Sequence, residues 1–137
     1  VGSSVSDSVT SPARRLSIEE LNERRRAVYR YRAEWLIALR AGAVTLSDVL
    51  RQAETVEGAP LMMLSLREVL ATLPDMSSAK ATHIIRRTLD ELGIDEKPEK
   101  IKVRWVMNQR SRRRRVVALA DAMTRSHRTS PTETWPW

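Results

Sequence analysis

A chain of 137 residues with 42% apolar side chains has room for one hydrophobic core. Without a cysteine and with only two histidines, it has no route to a disulfide framework, a thiol nucleophile or a thiolate zinc site. Its 24 Lys and Arg against 17 acids leave a net charge of +7, a balance that favours polyanionic partners and nucleic acid first among them. Four Gly and six Pro leave long stretches without breakers, which favours helices.

In chain order, the Ser-rich residues 1–15 read as a disordered tail. Ser17 with Glu20 forms a capping box, and Ile18, Leu21, Val28, Trp35, Leu36 and Leu39 follow at the spacing of one helix face. The expectation is a long helix over 17–41 with Arg24, Arg25, Arg26, Arg30 and Arg32 on its other faces and Gly42 as its C-cap. Thr45 and Ser47 introduce a two-turn helix through Leu46, Val49, Leu50 and Ala53, which Gly58-Ala59-Pro60 interrupts. Ser65 and Glu68 form a second capping box ahead of Leu66, Val69 and Leu70. Pro74 ends that helix, because proline disfavours helical geometry in the residue before it.

Ser77 or Ser78 then caps a helix from Ala79 to Leu92, with Ala81, Ile84, Ile85 and Leu89 inward and Gly93 closing it. A polar linker, Asp95 to Lys100, leads to Val103-Arg104-Trp105-Val106-Met107. Asn108 serves as N-cap of a last helix to about Met123, with Val116, Val117, Leu119, Ala120 and Met123 inward. Residues 125–137 read as a flexible tail. No stretch alternates long enough for a sheet, so the fold class is all-α, with one helical domain over 16–124.

The charge is unevenly placed. Lys100 to Arg115 holds eight basic residues and no acid, and Arg14 to Arg40 holds eight Arg against four Glu. The remainder carries eight basic and thirteen acidic residues. Lys100, Lys102, Arg104, Arg110, Arg112, Arg113, Arg114 and Arg115 are therefore candidate phosphate contacts, with Arg24, Arg25, Arg26, Arg30 and Arg32 as a secondary basic face. Arginines at a helix start oppose the macrodipole, an arrangement that bound phosphates would offset. A solvated basic face is the plainer reading of the same run.

The segment Pro74 to Lys80 is a second candidate. Backbone N–H groups beside Ser77 and Ser78 at a helix start can hold a phosphate, with Lys80 as counter-charge. An ordinary helix–turn–helix corner is the alternative. Trp105 reads either as a corner residue or as a stacking or wedging side chain. Trp135-Pro136-Trp137 reads as a frayed tail or a docking segment, and His83 as structural. No phosphate loop, nucleophile elbow or metal signature is present, and the chain reads as non-enzymatic, with no metal and no cofactor.

Taken in order, Leu39-Arg40-Ala41-Gly42, Thr45 to Glu54, Leu73-Pro74 with Lys80-Ala81, and Val103-Arg104 before a basic helix resemble the actinobacterial integration host factors. These are small nucleoid-associated proteins, unrelated to the enterobacterial heterodimer of the same name. The resemblance runs from about Ala33 to Leu119. It implies a long N-terminal helix packed on a helix-two-turns-helix DNA-binding module over about 46–124. It also implies sequence-tolerant binding, bending and compaction of double-stranded DNA, and assistance to a recombinase or integrase. Pro74, Ser77, Lys80, Lys102 and Arg104 match the family's phosphate-contacting positions, and Ser78 adjoins them.

The chain also departs from the family, which favours glycine at the positions of Ser77, Trp105 and Met107 and lysines near Asp75 and Ser78. Arg113 to Arg115 reads as an insertion whose charge compensates for a weaker main-chain grip. The resulting expectation is a monomeric, soluble protein of the cytoplasm and nucleoid, without membrane contact. An RNA-binding or ribosome-associated protein, and a protein–protein adaptor using the Trp-Pro-Trp tail, are the alternatives.

Overall fold

The computed structural model describes residues 17–127. Among them the fold is all-α, with six helices: α1 (Ile18–Arg40), α2 (Leu46–Ala53), α3 (Leu66–Thr72), α4 (Ser78–Leu92), α5 (Val103–Val106) and α6 (Arg112–His127). Short 3₁₀ turns occupy Ala59–Met63 and Pro98–Lys100. No described helix is long and apolar enough to cross a membrane. Two compact units divide the chain, one up to Tyr31 and one from Arg32 onward. The expected tail at 1–15 and the Trp-Pro-Trp segment lie outside the described residues, and α6 carries helix to His127, beyond the expected end at Met123.

The first unit is the N-terminal part of α1. Its capping box is formed as expected, with Ser17 N–H donating to Glu20 Oε1 at 2.8 Å and Glu20 N–H to Ser17 Oγ at 3.0 Å. The Ser17 backbone N–H, and then the Ser17 hydroxyl, hold the Glu20 carboxyl below its ordinary value by stabilising the ionised form. The apolar stripe expected here is not buried: Ile18 is 77% and Leu21 39% exposed. Further along α1, Val28 is half-buried in the first unit; in the second, Trp35 and Leu36 are half-buried and Leu39 is fully buried. Periodicity alone reports which residues share a face, and neighbours decide whether that face is covered.

The second unit is built around α4, which packs on α6 and α3. Its inward stripe of Ala81, Ile84, Ile85 and Leu89 is buried as the spacing predicts. Ser77 is the cap, its Oγ accepting from Lys80 N–H at 3.1 Å, and Gly93 at φ +68° ends the helix. Helix α2 buries Leu46, Val49, Leu50 and Ala53, and its N-terminus is a reciprocal capping box of Thr45 and Asp48. The Ser65 box is one-sided: Ser65 Oγ accepts from Glu68 N–H at 3.4 Å. Ser65 is instead drawn into a short antiparallel bridge with Lys102, closed by Leu66 N–H to Ile101 O and Val103 N–H to Leu64 O, both at 2.9 Å.

Helix α6 starts later than Asn108. Asn108 turns the chain, its Oδ1 accepting from Arg110 N–H at 3.1 Å and its carbonyl from Ser111 N–H at 3.1 Å, and helix begins at Arg112. Its buried face is Ala118, Leu119, Ala122 and Met123, whereas Val117 is 62% exposed. Alanines, in place of the expected valines, line the face toward α4, and small side chains allow a close helix–helix approach.

Candidate nucleic-acid interface

Six basic residues of the second unit line two open grooves. The first, of about 350 Å³, is lined by Lys100, Lys102, Arg104, Trp105, Asn108 and Arg115. Its residues come from the Pro98–Lys100 turn, from α5 with Lys102 and Asn108 flanking it, and from the first turn of α6, and no acid lines it. The local cause is alternation. Ile101, Val103, Val106 and Met107 are buried, which leaves Lys102, Arg104 and Trp105 on the other side of the segment.

The second groove, of about 580 Å³, has Arg40, Ser65, Arg67, Glu68, Ala71, Thr72, Met76, Ser77 and Ser78 on its walls. It thus brings the start of α4 beside two arginines from α1 and α3. The Ser65–Lys102 bridge connects the two: Leu64, Leu66, Ile101 and Val103 are buried on one side of it, and Ser65 and Lys102 lie in successive grooves on the other. Arg40 and Arg67 lie outside the candidate contacts that the sequence suggests. They are 27 positions apart, Arg40 at the end of the basic Arg14 to Arg40 segment and Arg67 outside both basic segments, and only the fold places them together.

The arginine run is divided. On a helix, residues three and four apart share a face, so Arg115 lies in line with the buried Leu119 and is drawn inward. Its guanidinium stacks over the Trp105 ring, 4.1 Å from the centroid, and Nη1 donates to the Trp105 carbonyl at 2.6 Å. Loss of solvent around it, and then the charge of Arg114, lower the pKa of Arg115 below the usual guanidinium value. An arginine so shifted still carries its charge at neutral pH. Arg112 turns to α2 and pairs with Glu54. Arg113 and Arg114 line a third groove with Glu91, Leu92, Val117, Ala118 and Asp121, away from the Lys100 cluster. Arg110 is exposed in the turn before α6.

At the Pro74 turn, Leu73 O accepts from Met76 N–H at 3.2 Å and Asp75 takes φ +60°. This is a type II turn, with proline at its first central position. Pro74 and Lys80 line a narrow gap with Ile84, Met123 and Ser126, while Ser77 and Ser78 line the Arg40–Arg67 groove. The counter-charges beside the α4 start are therefore Arg40 and Arg67.

On α1, Arg26 and Arg30 pair with Glu23 at 2.9 and 3.6 Å, and Arg25 donates to Asn22 Oδ1 at 3.4 Å. Arg24 is exposed. In the second unit Arg32 Nε donates to Pro60 O at 2.9 Å, so this arginine fastens the 3₁₀ turn. His83, expected to be structural, is exposed on α4. Among the described residues no group of three His, Cys, Asp or Glu is placed to hold a metal ion.

No family model, curated protein or solved structure matches the chain.

Proposed function

We propose that this chain is a non-enzymatic, sequence-tolerant DNA-binding protein that grips the phosphate backbone of double-stranded DNA. The observation that carries the reading is the first groove, where Lys100, Lys102, Arg104 and Arg115 converge with no acid among them. Four cations drawn together from three elements oppose one another, and a polyanion relieves that repulsion. Beyond the Ser65–Lys102 bridge, Arg40 and Arg67 add two cations against one acid, Glu68, beside the start of α4. Contacts of this kind position a duplex without reading its sequence.

The resemblance to the actinobacterial integration host factors carries the finer reading. On it, α2 to α6 form a helix-two-turns-helix module, the DNA is bent and compacted at the nucleoid, and a recombinase or integrase is a partner. Replacing both Lys102 and Arg104 with Ala should weaken duplex binding at least tenfold and by the same factor on unrelated sequences, measured by fluorescence anisotropy. Replacing Arg113 and Arg114 with Ala should have a smaller effect. Equal losses from the two pairs would return the grip to the arginine run as a whole. Competition with structured RNA separates a DNA binder from an RNA binder: duplex DNA should displace bound duplex DNA at lower concentration than RNA does.

A further inference from the structure

Trp105 stands in the first groove among four cations, which is not where a backbone grip needs an aromatic ring. Val103 and Val106 are fully buried and anchor α5, so the ring between them is left half-buried and lines the groove beside Lys100, Lys102 and Arg104. Arg115 holds it at two points, by the stack over the ring and by the hydrogen bond to its carbonyl. A ring fixed in this way is presented to a ligand with little orientational freedom left to lose. At about 350 Å³, the groove is comparable in size to one nucleotide.

We propose that Trp105 is a stacking platform for an unpaired base, and that the first groove holds a single extrahelical nucleotide, its phosphates on Lys100, Lys102 and Arg104. The inference rests on the nucleic-acid reading above and adds to it a preference for locally unpaired duplex. Cationic grooves with aromatic rings take single-stranded nucleic acid by this combination, because every base has a π face and the cations follow the backbone. In an intact duplex the base must first leave the stack, and that penalty lowers the affinity. An unpaired base avoids most of it. Arg115 acts here as a positioning residue, through the ring it holds.

The test compares two otherwise identical duplexes, one intact and one carrying a single unpaired adenine, by fluorescence anisotropy on the full chain. The native protein should bind the bulged duplex roughly tenfold more tightly, within the range that one stacked base supports. Trp105→Phe should keep most of that ratio, and Trp105→Leu, which keeps apolar bulk without a π face, should bring it close to one. A native ratio of one, or a ratio unchanged in Trp105→Leu, would overturn the proposal while intact-duplex binding still upheld the nucleic-acid reading. Binding to neither duplex would remove both.

A second measurement leaves position 105 untouched. In a chain with Trp35, Trp135 and Trp137 each replaced by Phe, saturation with bulged duplex should quench indole emission more than saturation with intact duplex. Equal quenching by the two would also overturn the proposal.

Discussion

The four consecutive arginines at the start of α6 have different partners. Arg115 lies four residues before Leu119 and is drawn onto Trp105, while Arg113 and Arg114 line the groove that holds Glu91 and Asp121. A run of one residue type thus divides into one groove residue, one ion-pair partner of Glu54 and two members of another surface. Gly58 is a case where the breaker seen in sequence has a steric reason. A Cβ built there would lie 1.7 Å from the Gln52 carbonyl oxygen, too close for anything but a backbone shift. Gly58→Ala should therefore destabilise the protein by roughly 1–3 kcal/mol, as overpacked sites do. An unchanged urea midpoint would show that the 54–58 turn yields without cost.

At the scale of the element, cap positions were legible in the sequence, and whether a cap closes in one direction or both was not. Ser17 with Glu20 closes in both directions as the sequence predicts, whereas Ser65 makes only the bond from Glu68 N–H and also pairs with Lys102, from a segment far along the chain. The inward stripe of α4 was legible too, because that helix is covered on several sides and its spacing has one solution. The stripes of α1 and α6 were less so. Ile18 and Leu21 share the expected face without cover, and on α6 alanines replace valines against α4.

The α2 cap also sets a pH dependence. The bond from Thr45 N–H, followed by the bond from Arg51, holds the Asp48 carboxyl below its ordinary value of 3.8. A group depressed on folding stabilises the fold above its unfolded pKa, and that contribution disappears as pH falls through the folded pKa. Asp48→Ala should thus lower stability by about 0.3–1 kcal/mol at neutral pH, the worth of a solvent-screened carboxylate in the first turn of a helix. In thermal melts the gap between native and variant protein should narrow as the pH drops below 3.8. A gap independent of pH would mean that the carboxylate charge contributes nothing to the cap.

For the whole molecule, the strongest expectation is ionic. Lys100, Lys102, Arg104 and Arg115 in one groove, with Arg40 and Arg67 in the next, offer six cations to a phosphate backbone. Neutralising about six phosphates predicts a slope near −5 for log affinity against log salt, and a loss of about 10³ between 50 and 200 mM. A slope of about −2, measured by titration at several salt concentrations, would mean that the two grooves do not act as one surface.

The sequence by itself determined the all-α class, the places where α3 and α4 end, the inward stripe of α4 and the concentration of charge from Lys100 to Arg115. Each depends on residues a few positions apart, where propensity, capping and turn chemistry act. Only the tertiary structure decided which cations share a surface. Arg40 and Arg67 meet at the start of α4, Arg112 is diverted to Glu54, and Arg115 is stacked on Trp105, because helix packing and a single bridge bring together groups that chain distance keeps apart.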